Sequence, residues 1–116
     1  MKKIFHLKTC DTCKRILKEI PTDGLEIQEL KENPISESQL ARIYTLSNSY
    51  EALFNKRAKL YKERGLKEMG LQEEDYKKLL LEHYTFLKRP VAVLEDTIFI
   101  GNSKKNIEAL KQALEN

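Results

Sequence analysis

The run Ile4-Phe5-His6-Leu7 gives way within a few positions to helical spacing at Ile16, Leu17 and Ile20. A chain that changes from an extended to a helical period over so short a span turns a strand–helix corner there. Both cysteines lie at that corner, in Thr9-Cys10-Asp11-Thr12-Cys13-Lys14-Arg15. A Cys-x-x-Cys pair in this setting points to thiol redox chemistry. The thiolate is the nucleophile, and a free thiol titrates near ~8.5, so something must lower that value for attack at neutral pH. Cys10 falls at the helix start, where unpaired backbone N–H groups and the helix dipole favour negative charge. Cys13 falls one turn in, close to Cys10 but less exposed, which suits an attacking and a resolving cysteine. Lys14 and Arg15 add positive charge and Asp11 removes some. Lys8 and Thr9 shape the loop. The Thr12 hydroxyl can donate to a bound oxyanion, a species that helix N-termini also attract.

Other readings of the pair compete with this one. The cysteines could be incidental small residues. A structural zinc needs four ligands and one Cys-x-x-Cys supplies two. His6 and His83, the remaining candidates, stand at unrelated spacing, so no metal is expected. A phosphatase loop of the form Cys-x5-Arg fails because position 16 is Ile.

Beyond the corner, Pro21 and Asp23-Gly24 stop the first helix. Leu25-Glu26-Ile27-Gln28-Glu29-Leu30 alternates apolar and polar, the pattern of a half-buried strand, parallel to the first because a helix joins them. Ser36-Glu37-Ser38-Gln39 reads as a capping box opening a helix with Leu40, Ile43 and Tyr44 on one face. Helical stretches follow around Tyr50–Phe54, around Ala58–Tyr61 up to Gly65, and from Glu73 or Glu74 to Tyr84. Val91-Ala92-Val93-Leu94 and Thr97-Ile98-Phe99-Ile100 flank Glu95-Asp96 as a hairpin. Ser103 caps a last helix that buries Ile107, Leu110 and Leu114. The order is β-α-β, a helical insertion at about 36–84, then β-β-α, with a mixed sheet of about four strands in an α/β domain.

The length, 116 residues, suits one domain spanning 1–116. No apolar run approaches the ~20 residues of a membrane span. Lys8 and the charged residues after it follow the first apolar segment too soon for a signal peptide. A cytoplasmic location is expected, where a structural disulfide is not. A net charge of +3 without any Trp gives no case for direct nucleic-acid binding. Taken alone, Arg89 could be a surface ion-pair residue, Pro90 a strand-start proline and His6 a core histidine.

These residues together resemble the arsenate-reductase-like (ArsC/Spx) branch of the thioredoxin fold. The resemblance rests on Phe5-His6-Leu7-Lys8-Thr9-Cys10-Asp11-Thr12, Ala52-Leu53-Phe54-Asn55-Lys56-Arg57, Gly65-Leu66 and Arg89-Pro90-Val91-Ala92-Val93, and it covers nearly the whole chain. It implies a thioredoxin-like fold and a thiol-dependent oxidoreductase with Cys10 as nucleophile and Cys13 as its resolving partner. It implies Arg89 as an oxyanion-binding arginine, with Arg57, Lys8 and Thr12 as further substrate-binding candidates. Pro90 would be the cis-proline facing the cysteine, and His6 a histidine that helps lower the cysteine's pKa. No bound cofactor is implied, but glutathione, or thioredoxin or glutaredoxin, would act as reductant. The substrate would be a small-molecule anion or thiol. Position 55 is Asn where arsenate reductases carry an arginine, and Thr97-Ile98-Phe99-Ile100 lacks the arginine they carry on the second hairpin strand. That pattern counts against arsenate itself. Cys13 makes the motif resemble Spx, so the alternative is a redox-sensing regulator that binds a protein partner such as RNA polymerase.

Overall fold

In chain order, the computed structural model, which describes residues 2–115, contains β1 (Lys2–His6), α1 (Asp11–Glu19), β2 (Glu26–Glu29), α2 (Glu37–Ser47), α3 (Tyr50–Leu53), α4 (Lys59–Glu63), α5 (Glu73–Glu82), β3 (Val91–Leu94), β4 (Thr97–Ile100) and α6 (Lys104–Glu115). Single 3-10 turns occupy Leu66–Met69 and Tyr84–Phe86. The chain divides into two compact units. One comprises the residues up to Asn33 and those from Arg89 onward; the other is Pro34–Lys88.

The first unit is a four-stranded sheet in the order β2-β1-β3-β4. β1 pairs with β2 in parallel, as a helical crossover requires, and with β3 antiparallel. β3 and β4 form the expected hairpin, with Leu94 opposite Thr97 and Glu95 at φ 56° in the turn between them. Ile4, Ala92 and Phe99 line up across three strands and pack with Ile16, Ile20 and Leu25 and with Ile107 and Leu110 of α6. Each fully buried side chain of this size contributes roughly 1.5–3 kcal/mol. This cluster fixes α1, and with it the cysteines at its N-terminus, against the sheet.

β2 departs from the alternation in its sequence. Ile27 is 46% exposed, whereas Gln28 is only 5% exposed. β2 is an edge strand, which leaves Ile27 beyond the cover of the apolar cluster. Gln28 tolerates burial because its Nε2 donates to the Asn33 carbonyl at 2.9 Å.

The second unit is helical. The Ser36 capping box forms as read: Gln39 N–H donates to Ser36 Oγ at 3.1 Å and Ser36 N–H to Gln39 Oε1 at 3.0 Å. Ser36→Ala is expected to cost about 1 kcal/mol, the usual worth of such a cap, read as a lower urea midpoint at unchanged slope. α3 has four residues and could not persist alone. Ser49 Oγ accepts the Ala52 N–H, and the Glu73 carboxylate of α5 accepts the Tyr50 and Glu51 N–H groups at 2.7 and 3.0 Å. The Phe54 ring packs against those of Phe86, Tyr76 and Tyr61. α5 ends at Glu82, earlier than its sequence suggests, because the His83 Nδ1 accepts the Thr85 N–H and opens the 3-10 turn.

Candidate active site

Cys10 is the N-cap residue of α1, with extended backbone (φ −91°, ψ 113°). Its own N–H donates back to the Leu7 carbonyl at 3.0 Å, and its carbonyl accepts the Lys14 N–H at 3.1 Å. The thiol is thereby presented to the unpaired N–H groups of the first helical turn. Burial works to raise its pKa. The Cys13 N–H, the Cys13 thiol, the Arg89 guanidinium and the Thr12 N–H act the other way and together hold it below the ordinary thiol value. Cys10 is half-buried and therefore reachable, and both cysteines are free thiols.

Cys13 is the opposite case, fully buried on the core side of α1. Burial pushes its thiol up to about 11, despite a hydrogen bond from the Leu7 N–H, and the neighbouring Cys10 raises it further. Leu7, the last residue before the loop, therefore touches both sulfurs' surroundings. Its carbonyl holds the Cys10 backbone and its N–H meets the Cys13 sulfur. The two environments push two adjacent thiols apart in acidity, Cys10 towards its charged form and Cys13 towards its protonated one.

Arg89 and Pro90 enter the site at the start of β3. The Arg89–Pro90 peptide is cis, and the Pro90 carbonyl accepts the Gly101 N–H at 2.9 Å. Arg89 acts electrostatically on both cysteines. The other predicted residues fall differently. Thr12 contributes through its backbone N–H. Lys8 turns its ammonium to Glu32 at 3.2 Å, both side chains exposed. His6 lies opposite Glu29 in the parallel ladder, and burial lowers its pKa while Glu29 raises it. Arg57 belongs to the helical unit and is exposed there, its N–H donating to Asn55 Oδ1. Asn55 itself is committed to structure, donating its N–H to the Phe86 carbonyl at 2.7 Å and its side-chain amide to the Thr85 carbonyl.

One residue had no signal in the sequence. The Glu29 carboxylate accepts the Lys8 N–H at 2.8 Å with one oxygen and the Glu32 N–H at 2.8 Å with the other. Despite some burial, these bonds, with a further one from the Lys31 N–H, hold it below the usual carboxylate range. No group of three or more His, Cys, Asp or Glu side chains among the described residues could hold a metal ion. Nor is any helix among them long and apolar enough to cross a membrane.

Comparison with known proteins agrees with this geometry. An arsenate reductase from Neisseria meningitidis is 28% identical over 112 residues, 93% of this chain and 96% of that protein. One from Yersinia enterocolitica is 30% identical over 93 residues, 78% of this chain and 66% of that protein. The crystal structure of an ArsC family related protein from Bacteroides fragilis superposes with a TM-score of 0.79 at 23% identity, covering 95% of this chain and 98% of that one. That likeness shows the fold, which is thioredoxin-like. A model of the ArsC family matches residues 5–110. With sheet order, cysteine loop and family match in agreement, this chain belongs to the ArsC family, and at the family level it is a thiol oxidoreductase.

Proposed function

We propose that the protein is a two-thiol reductase of a small oxidised anion, with Cys10 as nucleophile and Cys13 as resolving residue. The observation that carries this reading is the Cys10 thiol at the N-cap of α1, with its charged form favoured by the Cys13 N–H and thiol and by Arg89. The Cys10 thiolate attacks the electrophilic centre of the anion, a sulfur–centre bond forms, and hydroxide leaves. Arg89 and the helix N–H groups offset the charge of the incoming substrate. Once the Cys10 sulfur is bonded, its charge no longer opposes ionisation of Cys13. Cys13 then attacks the Cys10 sulfur. The disulfide forms, the sulfur–centre bond breaks, and its electron pair stays on the centre, which is reduced by two electrons. The displaced hydroxide and the Cys13 proton make one water. An external thiol, glutathione or a thioredoxin or glutaredoxin, restores the pair by disulfide exchange.

The rate of Cys10 alkylation by iodoacetamide is expected to rise with pH to a plateau whose midpoint lies below that of a free thiol. Cys13 is expected to stay unmodified over the same range, because its thiol is fully buried and keeps its proton. A Cys10 midpoint at the free-thiol value overturns the reading. Mass spectrometry after mild oxidant, and after arsenate with glutathione, separates an internal disulfide from a glutathione adduct.

A second reading, a redox-responsive binding protein of the Spx kind, draws on the same proximity of Cys10 and Cys13. It predicts a reversible disulfide without turnover, and recovery of a large protein partner in one redox state. A pull-down that recovers no partner in either state counts against it.

A further inference from the structure

We propose that Glu29 is a positioning residue for the Cys10 loop, acting through the Lys8 backbone rather than through any contact with substrate. The inference rests on the reading of Cys10 as nucleophile. Between the end of β1 at His6 and the start of α1 at Asp11, the loop is held by few bonds. The Leu30 N–H donates to the His6 carbonyl at 2.9 Å, extending the β1–β2 ladder by one rung. The Cys10 N–H closes a turn onto the Leu7 carbonyl. Lys8 lies inside that turn, and its N–H donates to Glu29 Oε2.

The carboxylate is itself fixed. Glu29 is the last residue of β2, in register with His6, and its other oxygen accepts the Glu32 N–H. The Asn33 N–H donates to the Glu29 carbonyl at 2.9 Å, and Gln28 Nε2 to the Asn33 carbonyl, so residues 28–33 form a closed turn. The Lys8 ammonium reaches Glu32, which completes a ring from the Lys8 N–H through Glu29 and Glu32 back to the Lys8 side chain. That last ion pair is exposed and contributes little. The two charge-assisted bonds to the carboxylate are the stronger members. Through them the turn after β2 determines where Leu7 and Cys10 stand, and hence whether the Cys10 sulfur meets the Cys13 N–H.

Placement and charge have opposite signs here, and that makes the proposal testable. Glu29 is negative, so its charge alone opposes the Cys10 thiolate, and removing it would make the thiol more acidic. As a positioning residue it supports the thiolate, and removing it makes the thiol less acidic. The experiment measures the pH dependence of Cys10 alkylation by iodoacetamide in the wild-type protein, Glu29→Ala, Glu29→Gln and Glu29→Asp, with thermal unfolding of each variant alongside.

The expected result is a higher Cys10 midpoint in Glu29→Ala, with an alkylation rate at pH 7 lower by roughly three- to tenfold as the thiolate fraction falls. Glu29→Gln keeps one acceptor and should fall between, and Glu29→Asp should restore part of the effect. An unchanged or lowered midpoint in a folded Glu29→Ala overturns the inference. If that variant does not fold, Glu29→Gln decides by the same sign. A wild-type Cys10 midpoint at the free-thiol value sinks the nucleophile reading instead, so the two failures are distinguishable.

Discussion

Cys10→Ser is expected to abolish thiol-dependent turnover, with a loss of ~10³-fold or more in kcat/KM, or about 4 kcal/mol of transition-state stabilisation. The hydroxyl that replaces the thiol is not ionised at neutral pH by the N–H groups and the guanidinium that act on Cys10. The fold should be little affected, because Cys10 is only half-buried and a serine hydroxyl can accept the same N–H groups. Serine is moreover a good N-cap residue, so the unfolding midpoint should stay level or rise slightly. Loss of activity without loss of stability is the diagnostic pair. Retained turnover in this variant would remove Cys10 from the mechanism.

Cys13→Ala has the second largest expected effect and a different signature. The first step should still occur, so one equivalent of substrate per protein reacts in a burst and the Cys10 adduct accumulates. Steady turnover should then fall by about 10²-fold unless an external thiol resolves the adduct. Mass spectrometry of the stalled protein should show the adduct on Cys10 and no internal disulfide. The Cys10 pKa should also rise, because the Cys13 thiol that donates to it is gone. Full turnover without a burst would mean that an external thiol, not Cys13, resolves the intermediate in the native protein. Stability will suffer too, since a fully buried side chain is truncated next to Ile16.

The pair also makes stability depend on pH in two windows. The folded chain releases the Cys10 proton more readily than the unfolded chain. That contribution is present above the ordinary thiol value and is lost as pH falls through the Cys10 value. The folded chain keeps the Cys13 proton until about 11. Between the ordinary thiol value and that point the unfolded chain binds fewer protons, so stability falls as pH rises.

Much of the site was legible because its signals are local. The Cys-x-x-Cys spacing, the Ser36–Gln39 box and the Glu95-Asp96 hairpin each depend on residues within one turn of one another. What was not legible depends on distant partners. Gln28 and Ile27 exchange the burial that alternation assigns them, because an edge strand lacks cover and a carbonyl at Asn33 satisfies the amide. Glu29 belongs to no motif, since the N–H it holds is 21 positions away. Asn55 stands where the resemblance expects a substrate arginine, and its bonds to Phe86 and Thr85 show that the local fold uses it instead.

The pairing of β1 with β3 carries a consequence for the life of the chain. Lys2 meets Leu94, so the central strand cannot acquire its antiparallel neighbour until the more than ninety residues separating the two have been made. Contacts so remote in sequence close late and slowly. A nascent chain emerging from the ribosome would already carry both cysteines, but Arg89 would still be unsynthesised. Its thiols would then react like those of any unfolded peptide. The share of Cys10 acidity that Arg89 supplies is therefore acquired only once residue 89 has been made, long after the cysteine motif itself.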